Sequence, residues 1–214
     1  MVLIAPSMLS ADFLHLEKDV EMVNRNADIF HLDIMDGTFV PNISFGFPVV
    51  EAIAKKAEKT LDAHLMIVHP EKYVERFAKA GAGMISFHYE AAREESDSII
   101  DLIHSFNCKA GIAINPDCSV EKIFPYLEKL DFVLVMSVFA GFGGQKFIPE
   151  SLGRIATVKA ELVRIGRDIP IEVDGGISPT NAAEVVKAGA SILVAGSSVF
   201  KAENPATAIA AMRL

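Results

Sequence analysis

Eight short apolar runs, each followed by a stretch of helical periodicity, order this chain of 214 residues from end to end. The runs are 2–6, 29–34, 61–67, 84–88, 108–114, 131–137, 170–174 and 191–196. They are rich in Val, Ile, Leu and Met and too short for buried helices, so they read as buried strands. The stretches between them are 12–25, 47–58, 71–80, 97–106, 119–129, 150–165, 179–188 and 204–213. In the first of these, Phe13, Leu16, Val20 and Val23 recur on one helical face. Asp12, Ser119, Ser178 and Asn204 stand at N-cap positions, and Pro179 and Pro205 stand where a first helical turn tolerates proline. Gly81 and Gly189 follow helical stretches as C-terminal caps do. Strand–helix alternation without a strand-rich block or linker predicts an α/β fold with a parallel sheet. Eight units favour closure into a (β/α)8 TIM barrel, with residues 1–214 as one domain. The rival open sheet would carry Gly-x-Gly-x-x-Gly after its first strand, whereas the first run here ends Ala5-Pro6-Ser7-Met8.

Composition narrows the partners. A hydrophobic share of 51% supports a sizeable core rather than disorder. The formal charge of −8 argues against a nucleic-acid or anionic-membrane partner, since either needs a basic surface. It leaves a small anion open, because backbone N–H groups can hold a phosphate. Met1 to Ser7 lacks the basic start of a signal peptide, and no apolar run approaches the roughly 18 residues of a membrane helix. A cytoplasmic protein is therefore expected. Cys108 and Cys118 are too few for a disulfide framework and lack zinc-site spacing.

The polar residues at the downstream ends of the strands are Ser7, His31, Asp33, His64, His88, Asn115, Ser137, Asp174 and Ser197. In a barrel this is where the chemistry sits. Taken alone, a histidine on an apolar strand is more often a hydrogen-bonded core residue than a ligand, and Asp174 before Gly175-Gly176 could simply open a turn. Together, two imidazoles and two carboxylates (His31, His64, Asp33 and Asp174) converging on one barrel mouth read as a metal site. Their donor chemistry suits Zn, Fe, Mn or Co rather than Mg or Ca. Glycines follow the last three strands: Gly141, Gly143 and Gly144 around Phe142, then Gly175-Gly176, then Gly196-Ser197. This matches the phosphate site that barrels build from their last loops and a short extra helix, for which Ser197 to Phe200 is the candidate. Met35, Met66 and Met136 at strand ends fill the barrel and are, with His88, candidates for lining the substrate.

Four segments carry a resemblance. They are His31-Leu32-Asp33-Ile34-Met35-Asp36-Gly37-Thr38-Phe39-Val40-Pro41-Asn42, Leu61-Asp62-Ala63-His64-Leu65-Met66, Met136-Ser137 with Gly141-Phe142-Gly143-Gly144-Gln145, and Val173-Asp174-Gly175-Gly176-Ile177. They resemble the ribulose-phosphate 3-epimerase family, over nearly the whole chain from Ala5-Pro6-Ser7 to Ala195-Gly196-Ser197. The resemblance implies a barrel of the ribulose-phosphate-binding type that interconverts D-ribulose 5-phosphate and D-xylulose 5-phosphate in the pentose phosphate pathway. It implies one divalent metal on His31, Asp33, His64 and Asp174, with Asp33 as proton acceptor and Asp174 as donor. It implies substrate contacts at Ser7 and His64, and a phosphate cradle of Gly141, Phe142, Gly143, Gly144, Gly175, Gly176, Gly196 and Ser197. It further implies a homo-oligomer, dimeric or hexameric. One departure stands out: the family usually carries Asn-Pro where this chain has Phe139-Ala140.

Three other readings share parts of this pattern. A 3-epimerase for a hexulose 6-phosphate such as D-allulose 6-phosphate would use the same metal site. A phosphate-binding decarboxylase on a related barrel would carry Asp-x-Lys-x-x-Asp after strand three, but His64 and Ile67 occupy the lysine and second aspartate positions here. A non-catalytic sugar-phosphate sensor would be expected to lose an acid–base residue, and none of the four is lost.

Overall fold

The computed structural model describes residues 2–213. Eight strands form one parallel sheet in the order β1-β8-β7-β6-β5-β4-β3-β2. They are β1 Leu3–Pro6, β2 Ile29–Met35, β3 Thr60–Met66, β4 Ala82–His88, β5 Lys109–Ile114, β6 Phe132–Met136, β7 Ile171–Asp174 and β8 Ile192–Ala195. A parallel bridge between Ser7 and His31 joins the outer two strands, β1 and β2, and closes the sheet into a (β/α)8 TIM barrel. The helices that wrap it include α1 Leu16–Asn26, α2 Phe47–Ala54, α3 Val74–Lys79, α4 Tyr89–Ala92, α5 Ser96–Ser105, α6 Ser151–Arg164, α7 Ala182–Ala188, α8 Ser197–Phe200 and α9 Pro205–Met212.

Both faces of a barrel strand are covered, which is why all seven residues of β2 are buried and the strands read as continuous apolar runs. One face, including Ile4, Phe30, Leu32, Leu65 and Phe87, packs outward against the helices. The other fills the barrel: Ala5, Ile29, Met84, Phe132, Ile192 and Val194 form its apolar floor. Gly111 on β5 makes room for that floor, since a Cβ there would lie 2.4 Å from the Phe132 ring. Above the floor, the inward positions turn polar.

Some helix ends depart from the expected ones for local reasons. α9 is as expected, with Pro205 in its first turn and Asn204 capping it by accepting the Thr207 N–H at 3.1 Å. The expected helix over 12–25 begins only at Leu16, because Asp12 spends its carboxylate on the Leu14 N–H (3.0 Å) in a tight turn. The expected helix over 119–129 is a 3-10 helix, Val120–Tyr126, with Pro125 inside it and no cap from the Ser119 side chain. Proline lacks the N–H that an α-helical turn would use there. The helix expected from 179 starts at Ala182; Pro179 lies in the preceding turn, where the Ser178 N–H donates to Asn181 Oδ1 at 2.9 Å. The short α8 sits where the extra helical turn was expected. Among the described residues, no helix is long and apolar enough to cross a membrane.

Candidate active site

Strand alternation selects the site. His31 and Asp33 on β2, Asp62 and His64 on β3, and Glu172 and Asp174 on β7 are residues two apart, so each pair shares the barrel's inner face. The β2–β3 register sets His31 beside Asp62 and Asp33 beside His64. An eight-stranded barrel is only wide enough for its side chains to meet, so Asp174 reaches the same point from the far side.

Donor atoms of His31, Asp33, His64 and Asp174 all lie within 4.8 Å of one another. Asp33 Oδ1 is 3.2 Å from His64 Nδ1 and 3.3 Å from His31 Nε2. Asp174 Oδ2 is 3.8 Å and 3.9 Å from the same two nitrogens. The Ser7 hydroxyl donates to the other Asp33 oxygen. Both histidines and Asp33 are buried, and Asp174 is nearly so. His31 Nδ1 faces Asp62 Oδ2 at 2.6 Å, while His31 Nε2 has no hydrogen-bond partner. An orphaned buried imidazole nitrogen aimed at two carboxylates is what a cation's ligand set requires, and these residues fit one divalent metal.

The protonation pattern reflects the same field. Burial opposes charging of His31, yet Asp33 and Asp62 outweigh it and raise its pKa well above the ordinary value. Burial also works against the Asp33 carboxylate, but His31 and His64 hold its pKa well below the usual range. Burial and the negative charge of Asp33 push Asp174 up to about 7. Burial is also the main reason that His64 falls to about 4. One field thus drives the two carboxyl groups in opposite directions, Asp33 down and Asp174 up.

Two further acidic residues, Asp62 and Glu172, belong to the same inner face. Both are fully buried beneath the cluster, with Glu172 Oε1 3.3 Å from His31 Nδ1. Burial and the neighbouring Asp62 push the Glu172 pKa up to about 8. The signal was present: each lies two residues before a site residue on the same strand. For metal-stripped protein these shifts set a pH trend in stability. Asp174 ionises near 3.8 when unfolded and near 7 when folded, and Glu172 near 4.5 and 8. The unfolded chain therefore releases these protons first, and stability present at low pH is lost as pH rises through those windows. The raised His31 pKa acts in the same direction and Asp33 is ionised throughout, while His64, lowered to about 4, opposes the trend up to about pH 6.5 and is outweighed by Asp174 and Glu172 together. Thermal scans in chelator should show the melting temperature falling by several degrees from about pH 5 to about pH 8. Added zinc should reduce that fall, because it binds only the folded site and its positive charge offsets the crowded carboxylates. A melting temperature that rises over this range would contradict the assignment.

The cluster opens into a cleft at the mouth of the barrel. Ser7, Asp33 and Asp174 line its base, and Met35, Met66 and Met136 line its walls. Its far side is glycine-rich backbone: Gly141, Gly143 and Gly144 around Phe142, then Gly175 and Gly176, and Gly196 with Ser197. His31 and His64 stand behind the base, and His88 stands behind His64 with its Nε2 2.9 Å from His64 Nε2. His88, expected as a substrate-lining candidate, is fully buried and off the cleft wall. Gly141 is held from the β2 side, where Asn42 Nδ2 donates to its carbonyl at 2.8 Å. Gly176 has φ +65°, and a Cβ there would stand 2.3 Å from the Phe147 nitrogen. Gly176→Ala should displace this wall and raise KM for a phosphorylated substrate on the order of tenfold or more, about 1.4 kcal/mol. A KM unchanged in steady-state assays would remove Gly176 from the anion pocket.

Comparisons with known proteins converge. A model of the ribulose-phosphate 3 epimerase family matches residues 3–200. A ribulose-phosphate 3-epimerase of Synechocystis sp. is 48% identical over 214 residues, spanning 99% of this chain and 93% of the relative. The cytoplasmic isoform of ribulose-phosphate 3-epimerase from Oryza sativa is 42% identical, spanning 98% and 92%. Among solved structures, 3-hexulose-6-phosphate synthase from Salmonella typhimurium superposes with a TM-score of 0.74 at 16% identity, spanning 98% of this chain and 96% of that one. That last likeness is one of fold.

Proposed function

The chain belongs to the ribulose-phosphate 3-epimerase family, and on that premise we propose that it interconverts D-ribulose 5-phosphate and D-xylulose 5-phosphate by moving a proton between Asp33, substrate C3 and Asp174. The observation that carries this reading is the convergence of Asp33 and Asp174, from strands on opposite sides of the barrel, at the base of one glycine-walled cleft.

The proton on C3 is acidic because C2 is a ketone. Asp33, held ionised by His31 and His64, accepts that proton. The C3–H electron pair becomes a C2–C3 double bond, and the carbonyl electrons move onto the C2 oxygen, giving a planar enediolate. Asp174, arriving from β7 on the other side of the barrel, gives its proton to the opposite face of C3. The product leaves Asp33 protonated and Asp174 ionised, which is the state suited to the reverse reaction. The two carboxyl groups regain their starting states by exchange with water between turnovers.

His31, Asp33, His64 and Asp174 would hold one divalent cation, from the set Zn, Fe, Mn or Co. Such an ion supplies positive charge where the enediolate's negative charge develops. Asp62 fixes His31 by accepting from its Nδ1–H, leaving the Nε2 lone pair free for the ion. Met35, Met66 and Met136 exclude water above the reacting carbon, and the glycine-lined wall takes the phosphate, since small residues let backbone N–H groups approach an anion. His64 replaces the lysine a decarboxylase of this fold would need, and that favours proton transfer over carbon–carbon cleavage.

We place the enzyme in the cytoplasm as a homo-oligomer, dimeric or hexameric, with no nucleic-acid or membrane partner. The exposed side chains of Phe13, Leu14 and Ile43 support self-association, which light scattering measures. The deciding assay compares kcat/KM on D-ribulose 5-phosphate and D-allulose 6-phosphate with cation present. Preference for the pentulose supports the proposal; preference for the hexulose replaces its substrate, and turnover of neither favours a sensor.

A further inference from the structure

His64 meets the site through Nδ1 and turns Nε2 away, to within 2.9 Å of His88 Nε2. Two imidazole nitrogens at that distance share one hydrogen between them. Which ring supplies it decides whether His64 Nδ1 presents a lone pair or an N–H to the cluster. Asp33 Oδ1, at 3.2 Å, is an acceptor and by itself draws a proton onto Nδ1, where it would block a cation.

We propose that His88 and Glu90 are positioning residues that oppose this pull and fix His64 as the Nε2–H tautomer. The inference rests on the reading of His64 as a ligand of the divalent cation. Glu90 Oε2 lies 3.3 Å from His88 Nδ1, and an ionised carboxylate has no hydrogen to give. His88 therefore carries its proton on Nδ1, its Nε2 accepts, and His64 donates from Nε2. Glu90 is held in place because its Oε1 accepts the Asn115 backbone N–H at 2.7 Å. Asn115 Nδ2, 3.4 Å from His88 Nδ1, would favour the opposite tautomer. It cannot turn its oxygen there, because Asn115 Oδ1 is engaged by the Ala140 N–H at 3.1 Å. The charged acceptor at the shorter distance prevails. That Ala140 N–H exists because the chain carries alanine where the family usually has proline. The His64 and His88 rings stack with centroids 5.0 Å apart and planes 23° from parallel, which leaves neither ring free to reorient.

Glu90→Gln tests the pair with almost no change of shape. The glutamine oxygen stays with the Asn115 N–H, and its NH2 group faces His88 Nδ1. His88 then shifts its proton to Nε2, against His64 Nε2–H, and His64 is driven to the tautomer that cannot bind the cation. Zinc affinity, measured by competition with a chromophoric chelator, should fall about 10- to 100-fold, while the melting temperature of metal-free protein stays unchanged. His88→Gln, which keeps an acceptor near the Nε2 position, should fall between the wild type and His88→Leu. In 15N spectra of the zinc-loaded wild type, His64 should carry its proton on Nε2 and His88 on Nδ1. Equal zinc affinity in wild type and Glu90→Gln, or a His88 proton on Nε2, would overturn the proposal and leave the metal reading standing. Zinc binding by neither protein would overturn both. Should His88→Leu fail to fold, Glu90→Gln alone decides.

Discussion

Asp174→Asn should lower kcat for epimerisation by about 10³-fold or more, in line with the loss of a positioned acid–base group, while leaving a one-sided reaction intact. Asparagine keeps the shape of the side chain but has no proton to deliver to the second face of C3. Asp33 remains, still held ionised by two histidines. It can remove the C3 proton of D-ribulose 5-phosphate and return a solvent proton to the same face. The variant should therefore exchange the C3 hydrogen of D-ribulose 5-phosphate with deuterium oxide without forming D-xylulose 5-phosphate. Asp33→Asn should show the mirror behaviour, exchanging only D-xylulose 5-phosphate. Mass spectrometry and NMR of the recovered sugars read both outcomes. Near-normal turnover of Asp174→Asn would remove Asp174 from the acid–base role. Because Asp174 also belongs to the ligand set, metal content is measured alongside, so that a lost proton donor is distinguished from a lost ion.

Stripping the cation has the other large effect. With a chelator present, wild-type turnover should fall roughly 10³-fold, since a Lewis acid of this kind contributes several kcal/mol to stabilising the developing charge. Activity should return on adding back Zn, Mn, Co or Fe, and Mg or Ca should restore far less, because two imidazoles favour the softer ions. His31→Ala should behave like chelation while resisting rescue by added ion. His31 Nε2 is buried and has no hydrogen-bond partner, and an alanine there leaves no donor atom in its place. Full activity in exhaustively chelated protein would refute the metal-dependent reading.

Much of this site was legible from residue order, for a definite physical reason. Inner-face alternation places His31 with Asp33 and ties His64 to its strand's downstream end, and a barrel gathers such ends at one mouth. The glycine groups at 141–144, 175–176 and 196 lie on the same cleft as expected. Less legible was what stands behind the first contacts. Asp62 and Glu172 sit one step deeper on the inner face, where an acidic residue in an apolar run is unexpected without knowing which histidine it meets. His88 ends its strand like a site residue but turns away from the cleft to back His64, and that depends on side-chain direction across β3 and β4. Over 119–129, apolar spacing alone does not distinguish a 3-10 helix from an α-helix, and Pro125, which has no N–H to give, favours the former. The Asp12 carboxylate suits a helix cap, yet it accepts the Leu14 N–H in a turn ahead of the helix that begins at Leu16.

Wild-type protein incubated with D-ribulose 5-phosphate in deuterium oxide provides the most direct measurement. With cation bound, NMR should show both epimers carrying a single deuterium, confined to C3, and chelation should abolish its appearance. A cation-loaded protein that leaves C3 undeuterated, or that interconverts the sugars while retaining the original hydrogen at C3 through many turnovers, would contradict proton transfer through Asp33 and Asp174.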